Sequence, residues 1–225
     1  MCGTIRIASD YTRAIVSGSN TYQAMFTGIV VDTGTVTETS GPGERSVRIE
    51  PKRMPDSLRL GSSIACAGIC LTATAVDPTG FSVDLSPETQ ARTTAGTWQP
   101  GTEINLEYAI RAGDPLDGHV VTGHVDTVAE VLDVTAADDC SIVRFSLPAS
   151  IAAMIASKGS IAVDGTSLTV NTVDRDGFSV TLIPHTGRVT TLGALAAGCA
   201  VNLEADILAR YVARALGRSG SGDAR

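Results

Sequence analysis

Aromatic residues are scarce in this chain, 4% of its 225 positions with a single tryptophan, and its 17 basic residues are outnumbered by 24 acidic ones. Proteins that hold nucleic acid neutralise phosphates with Lys and Arg and stack bases on aromatic rings. Both means are in short supply, so nucleic acid is not the expected partner. Nor does any apolar run approach the ~20 residues a membrane-crossing helix needs. Arg6, Asp10 and Arg13 stand where a secretory leader would be apolar. The expectation is a soluble, cytoplasmic protein. Cysteine is also too thin for a disulfide framework: Cys2, Cys66, Cys70, Cys140 and Cys199 are odd in number and widely scattered, in a chain long enough to bury a core without staples. Cys66 and Cys70 have no second Cys or His pair at zinc-ligand spacing, so no metal site is expected.

What the chain does contain is a copy of itself. Ser63 to Glu107 aligns without a gap on Ser160 to Glu204 at a shift of 97, with 22 of 45 positions identical. The identities include structural punctuation: Gly68 with Gly165, Gly80 with Gly177, Pro87 with Pro184, Gly101 with Gly198. A unit repeated at this length is a small domain. Upstream the match weakens, but Thr27-Gly28 faces Thr122-Gly123. A Pro-started, Gly-ended pattern predicts a short helix at Pro55 to Leu60 and another at Pro148 to Ser157. The domain junction is expected near Arg111 to Asp117. The resulting division is an extension over 1–24, a first domain over 25–112, a second over 113–204, a helix over 205–217 and a tail over 218–225.

Within each half the period is two. Phe81, Val83 and Leu85 alternate with Ser82 and Asp84, and Phe178, Val180 and Leu182 alternate with Ser179 and Thr181, as strands with one buried face do. Asp164-Gly165 is a hairpin signal joining a strand at Ile161 to one at Leu168. Short, evenly spaced strands with Gly-rich turns indicate a small closed barrel or sandwich. Only the tail has a helical period: Ile207, Leu208, Tyr211, Val212 and Ala215 form one face, which either docks on the chain's own barrels or joins other subunits.

Four strings, Met25-Phe-Thr-Gly-Ile-Val30, Cys70-Leu-Thr72, Gly118-His-Val-Val-Thr-Gly-His-Val-Asp126 and Gly159-Ser-Ile-Ala-Val-Asp-Gly-Thr-Ser-Leu-Thr-Val170, together resemble riboflavin synthase of the α-chain type. The resemblance runs from Met25 to about Leu216. It implies an all-β fold of two similar six-stranded antiparallel Greek-key barrels with a C-terminal helix, a homotrimer, and no metal or organic cofactor. The implied activity is that of a transferase: dismutation of two molecules of 6,7-dimethyl-8-ribityllumazine into riboflavin and 5-amino-6-(ribitylamino)uracil, the last step of riboflavin biosynthesis. Association with lumazine synthase is a further possible partnership. The family pattern begins at Met25, so residues 1 to 24 are an extension. Ala67 stands where Asn is usual, Ala73 where Val is usual, and Gln90-Ala91-Arg92 varies a Leu-containing string.

The duplication itself suggests roles. Two halves that bind one kind of ring share their ligand contacts, whereas the chemistry treats the two rings differently. Matched polar positions are Thr72 with Thr169, Thr89 with Thr186 and Ser63 with Ser160; Gly28 matches Gly123. Mismatched positions are Cys70 against Ser167, His124 against Ile29, Lys158 against Gly61 and Asp206 against Ala109. One lumazine must lose a methyl proton while the other is opened by addition to its ring, and a site built of unlike halves suits that.

By the resemblance each active site lies between the first barrel of one subunit and the second of another. His124 is the candidate general acid/base, its pKa class lying nearest neutrality. Ser63 and Cys70 are hydroxyl and thiol donors from the first barrel, with Cys70 a nucleophile only if its pKa is lowered. Ser167, Thr169 and Asp206 come from the second barrel, and Lys158 meets ribityl hydroxyls or pyrimidine oxygens. The implied substrate contacts in the first barrel are Phe26, Gly28, Ile29, Val30, Cys70, Leu71, Thr72 and the run Asp84, Leu85, Ser86, Pro87, Glu88, Thr89. In the second they are Gly123, His124, Val125, Lys158, Ser167, Leu168, Thr169 and the run Thr181, Leu182, Ile183, Pro184, His185, Thr186. Plainer readings exist: Cys70 between Ile69 and Leu71 as a small buried residue, Thr72 and Thr169 as β-branched strand residues, Asp206 as a helix cap.

Two rival functions follow from the same residues. A non-catalytic lumazine- or flavin-binding protein of this fold needs no asymmetry of the kind Cys70, His124 and Asp206 introduce. A metal-dependent hydrolase on His119, His124, Asp126 and His185 lacks the spacing of a helix-borne metal motif.

Overall fold

The strand Gly80–Leu85 shows how the period of two becomes a barrel wall: Phe81, Val83 and Leu85 are fully buried and Asp84 is exposed. Strands with this alternation, together with Ser63–Cys66, Glu103–Tyr108, Ser160–Val163 and Ala200–Ala205, which are buried almost throughout, close into two barrels in the computed structural model, which describes residues 24–41 and 45–217. The extension expected over 1–24 lies, apart from Ala24, outside the described residues, as does the tail 218–225.

The first barrel is built from β1 (Asp32–Thr39), β2 (Arg45–Pro51), β3 (Ser63–Cys66), β4 (Ile69–Asp77), β5 (Gly80–Leu85) and β6 (Glu103–Tyr108). The second repeats it with β7 (Thr127–Ala137), β8 (Cys140–Ser146), β9 (Ser160–Val163), β10 (Thr166–Val173), β11 (Gly177–Leu182) and β12 (Ala200–Ala205). Their orders, β1-β2-β5-β4-β3-β6 and β7-β8-β11-β10-β9-β12, are the same antiparallel arrangement with two crossovers, β2 to β3 and β5 to β6 in the first barrel and β8 to β9 and β11 to β12 in the second, and both rings close. Closure pairs β6 with β1 and β12 with β7, leaving neither barrel an open edge. Each has its own core, centred on Ile49, Ile64, Phe81 and Leu106 in the first and on Phe145, Ile161, Phe178 and Leu203 in the second. Side chains of this size contribute about 1.5–3 kcal/mol each when fully buried. Phe145 and Phe178, paired across β8 and β11, stack with centroids 5.3 Å apart.

The two helices predicted upstream of the repeats are not formed as such. Pro55 to Leu60 is a pair of turns, and of Pro148 to Ser157 only Ala152–Met154 makes a 3-10 turn. These segments serve as plugs instead, Leu58 drawn into the first core and Ile151 with Ile155 into the second. The helices lie elsewhere: α1 (Pro87–Arg92) and α2 (Pro184–Val189) follow β5 and β11, each started by its proline, and α3 (Ile207–Ala215) follows β12.

The barrels face each other through reciprocal contacts. Phe26 and Val121 form a two-bond antiparallel bridge and, with Ala65 and Ala162, a small apolar cluster between the barrels. Asn105 of β6 donates to the Asp164 carbonyl and accepts from the Thr191 N–H; Asn202 of β12 donates to the Ala67 carbonyl and accepts from the Thr94 N–H. Both asparagines are buried, so these bonds are costly to leave unmade.

Candidate active site

Each barrel presents its polar face where the other barrel's N-terminal segment crosses it. The buried carboxylate of Glu107 accepts from the Thr27 N–H and hydroxyl, both at 2.7 Å, and from the Gly28 N–H at 2.9 Å. Glu204 repeats all three bonds with Thr122 and Gly123. Thus held, Gly28 accepts the Ser167 N–H at 2.7 Å and Gly123 accepts the Cys70 N–H at 2.9 Å. Both glycines have left-handed backbone, φ 75° and 77°. A Cβ at Gly28 would stand 2.6 Å from the Ser167 Cβ, and one at Gly123 2.5 Å from that of Cys70. Only glycine satisfies both conditions.

Two sets of expected residues are thereby assembled. Cys70 on β4 pairs with Ala65 on β3, two residues from Ser63, and lies under the segment Gly123-His124-Val125, whose valine packs on the first barrel's core. Ser167 on β10 lies under Gly28, with Thr169 two residues along the same strand and paired to Ser160. Carried on by two or three residues, the register Ala73 to Val83 sets Cys70–Thr72 beside Asp84–Ser86, and Val170 to Val180 sets Ser167–Thr169 beside Thr181–Ile183. The runs into α1 and α2 therefore border the two polar faces. Ser63 opens on a cavity of about 270 Å³ lined also by Ser57, Ser62, Tyr108 and Arg111, residues the sequence reading did not single out.

The electrostatics separate the sets. Burial pushes the Cys70 thiol up, the Ser63 hydrogen bond opposing and the nearby Glu204 carboxylate adding to the rise. The shift is opposite to the lowering that a thiolate nucleophile requires. Cys66 is fully buried and raised further, chiefly by desolvation. His124 is exposed. Lys158 adopts a left-handed φ of 68° where its first-barrel counterpart is Gly61, at 84°. A side chain at such a position costs about 1–2 kcal/mol, so this lysine is carried against the local preference. Asp206 caps α3, accepting from the Leu208 N–H at 2.8 Å.

Some expected substrate contacts face inward. Phe26 is fully buried in the cluster between the barrels, and Leu71, Leu85, Leu168 and Leu182 are core residues. Their side chains are taken up by the cores and the cluster between the barrels, which leaves their backbone at the polar faces. Asp126, weighed as a metal ligand, is engaged otherwise: Arg210 of α3 donates to both its oxygens at 2.7 and 2.8 Å, and the Ala205 N–H binds it too.

One residue was missed as a site member. His119 is buried, and its Nδ1 lies 2.7 Å from the Ser167 hydroxyl. Its N–H donates to the Thr27 carbonyl, and the residue before it is a glycine packed against Thr27 and Ser167. Burial lowers its pKa, with Asp206 acting weakly the other way. The signal was available: at the Gly28-to-Gly123 offset His119 faces Ala24, another titratable group present in one half only.

Paired closed barrels with matched faces, each crossed by the other's Gly-containing segment, define a tandem-barrel ligand-binding protein. The profile of the lumazine binding domain matches the chain twice, over residues 27–109 and 122–206. Riboflavin synthase of Brucella abortus (strain 2308) is 46% identical over 198 residues, 84% of this chain and 97% of that protein. The riboflavin synthase of Mycobacterium bovis (strain ATCC BAA-935 / AF2122/97) is 42% identical over 201 residues, covering 87% and 100%. Among solved structures, LumP complexed with riboflavin superposes with a TM-score of 0.74 over 80% of this chain and 98% of that one at 24% identity, a likeness of fold. The chain belongs to the riboflavin synthase family, with two lumazine-binding domains in tandem.

Proposed function

We propose that this protein converts two molecules of 6,7-dimethyl-8-ribityllumazine into riboflavin and 5-amino-6-(ribitylamino)uracil, as a transferase without cofactor acting last in riboflavin biosynthesis. The observation that carries this reading is the pairing of Cys70 with Ser167: equivalent positions under equivalent glycines, one backed by Ser63 and the other by His119. A protein that merely holds a chromophore has no use for two like faces with unlike hydrogen-bond chemistry. Transfer of a four-carbon unit does, because one ring loses a methyl proton and the other accepts addition.

His124 serves as general acid/base, Cys70 and Ser63 as donors at the first face, and Ser167, Thr169 and Asp206 at the second, with Lys158 toward the ribityl chain or the ring oxygens. The working site joins the first face of one subunit to the second face of another in a homotrimer. The exposed Leu208, Tyr211, Val212 and Leu216 on and just after α3 supply an apolar surface for that assembly. The setting is the cytoplasm, where lumazine synthase is a candidate partner.

The test is to incubate the purified protein with the dimethyl-ribityllumazine alone. One riboflavin per two lumazines consumed, unaffected by chelator, is the expected result. Stoichiometric binding without turnover would instead make it a non-catalytic lumazine-binding protein.

A further inference from the structure

We infer that His119 is a positioning residue that holds Ser167 as a hydrogen-bond donor toward the bound ring: its Nδ1–H donates to the Ser167 oxygen, so that the Ser167 O–H points to a ligand acceptor.

The contact between Nδ1 and Oγ, 2.7 Å, is compatible with a proton on either atom. The other ring nitrogen decides between them. Nε2 is sealed from solvent and has no hydrogen-bond partner among the described residues. If Nδ1 accepted from Ser167, the neutral ring would carry its proton on Nε2, leaving a buried N–H without an acceptor. Orphaned buried N–H groups are rarer than under-used acceptors. The tautomer protonated on Nδ1 leaves only a bare lone pair at Nε2. Burial keeps the ring neutral, as its lowered pKa indicates. The backbone bond from the His119 N–H to the Thr27 carbonyl and the glycine at 118 fix where the ring can sit.

An oxygen that accepts from an imidazole N–H is a better donor through its own hydrogen, since successive hydrogen bonds polarise one another. Ser167 is half-buried on the face bordered by Thr169 and Lys158. Resting on the proposed reaction, the ligand acceptor is a carbonyl or ring nitrogen of the pyrimidinedione, onto which negative charge spreads when the methyl proton leaves. The His119–Ser167 pair stabilises that charge without gaining or losing a proton. Its first-barrel counterpart cannot do this, because Cys70 has Ser63 in place of an imidazole and Ala24 stands where His119 does.

The experiment combines ¹⁵N-histidine NMR on the full chain with three variants. The chain has three histidines, and loss of one set of signals in His119→Phe assigns the ring. The expected spectrum shows Nδ1 protonated and Nε2 bare near neutral pH; a proton on Nε2, or a cationic ring, overturns the inference. His119→Asn, whose amide N–H reaches the Nδ1 position, is expected to keep kcat within about threefold. His119→Phe is expected to lose about 10- to 100-fold, in kcat more than in KM, as supporting groups around a site typically do. Ser167→Ala with His119→Phe should be no slower than Ser167→Ala alone. A His119→Phe protein with a lower melting temperature but unchanged kcat would show a purely structural histidine. If His119→Phe does not fold, the wild-type spectrum and the Asn variant still decide. If the wild-type protein binds lumazine without turnover, the proposed function fails. The inference is then judged on the tautomer and on lumazine affinity, kept by Asn and weakened by Phe.

Discussion

The Gly123 carbonyl accepts the Cys70 N–H at 2.9 Å, and the Gly28 carbonyl does the same for Ser167 at 2.7 Å, so each barrel's entry segment is fastened to the reactive strand of the other. These bonds couple the integrity of the interface to the placement of the site.

Gly123→Ala is therefore expected to damage stability and activity together. Its Cβ would overlap Cys70 in a left-handed conformation. The conformational cost of about 1–2 kcal/mol adds to about 1–3 kcal/mol of overpacking. Denaturant unfolding would check the sum; a variant as stable as the parent would mean the segment is not held as described.

For His124→Ala the expectation is the opposite pattern. The side chain is exposed, so the melting temperature should barely move, while riboflavin formation should fall about 10²- to 10⁴-fold if it transfers protons. Full activity in steady-state kinetics would refute the assignment.

Asp164 links stability to pH. Burial raises its carboxyl from 3.8 to about 7, the Asn202 N–H bond opposing only in part. A folded-state pKa above the unfolded one means that the folded form binds the proton more tightly. Its stabilising contribution is thus fully present below about pH 4 and is lost as pH rises through about 7. Asp164→Asn keeps the acceptor for Asn202, tolerates the left-handed backbone at this turn, and cannot ionise. Urea unfolding should show the variant to be more stable than the parent at pH 8 and indistinguishable at pH 4. An equal difference at both pH values would exclude Asp164 as the titrating group.

If the proposed trimer assembles through α3, Leu208→Asp with Val212→Asp is expected to separate its subunits while leaving each barrel folded. Both side chains are exposed on α3, whereas the helix is tied to its own barrel by Arg210 and Asp126 and by the buried Ala213. Sedimentation should report a smaller species with unchanged circular dichroism, and activity should fall with it. Persistence of a trimer would move the subunit contact to another surface.

Asn202→Ala removes both halves of one interface clamp. The Thr94 N–H and the Ala67 carbonyl would lose their partner, at about 1–3 kcal/mol for each group left unsatisfied. Hydrogen exchange should show protection lost first at residues 67–68 and 94–95. Protection unchanged there would mean water replaces the asparagine without cost.

The repeat, the strand periods, the hairpin at Asp164-Gly165 and the tail helix were all legible in the sequence, because each depends on neighbours a few residues away or on a gapless copy. The segments Pro55 to Leu60 and Pro148 to Ser157 misled, since a proline and a glycine mark chain direction without saying that a turn suffices once Leu58 or Ile151 is drawn into a core. For the tail helix, two destinations were open from its pattern. The structure docks one face through Arg210 and leaves Leu208, Tyr211 and Val212 bare.

By itself the sequence determined that two like domains exist and which positions differ between them, since substitution patterns survive without coordinates. Only the tertiary structure decided which differences meet. His119 stands 48 residues from Ser167 in the chain yet touches its hydroxyl, and Gly123 reaches Cys70 across 53 positions. Such contacts arise from barrel closure and from buried Glu107 and Glu204 anchoring the crossing segments, long-range constraints that no local period records.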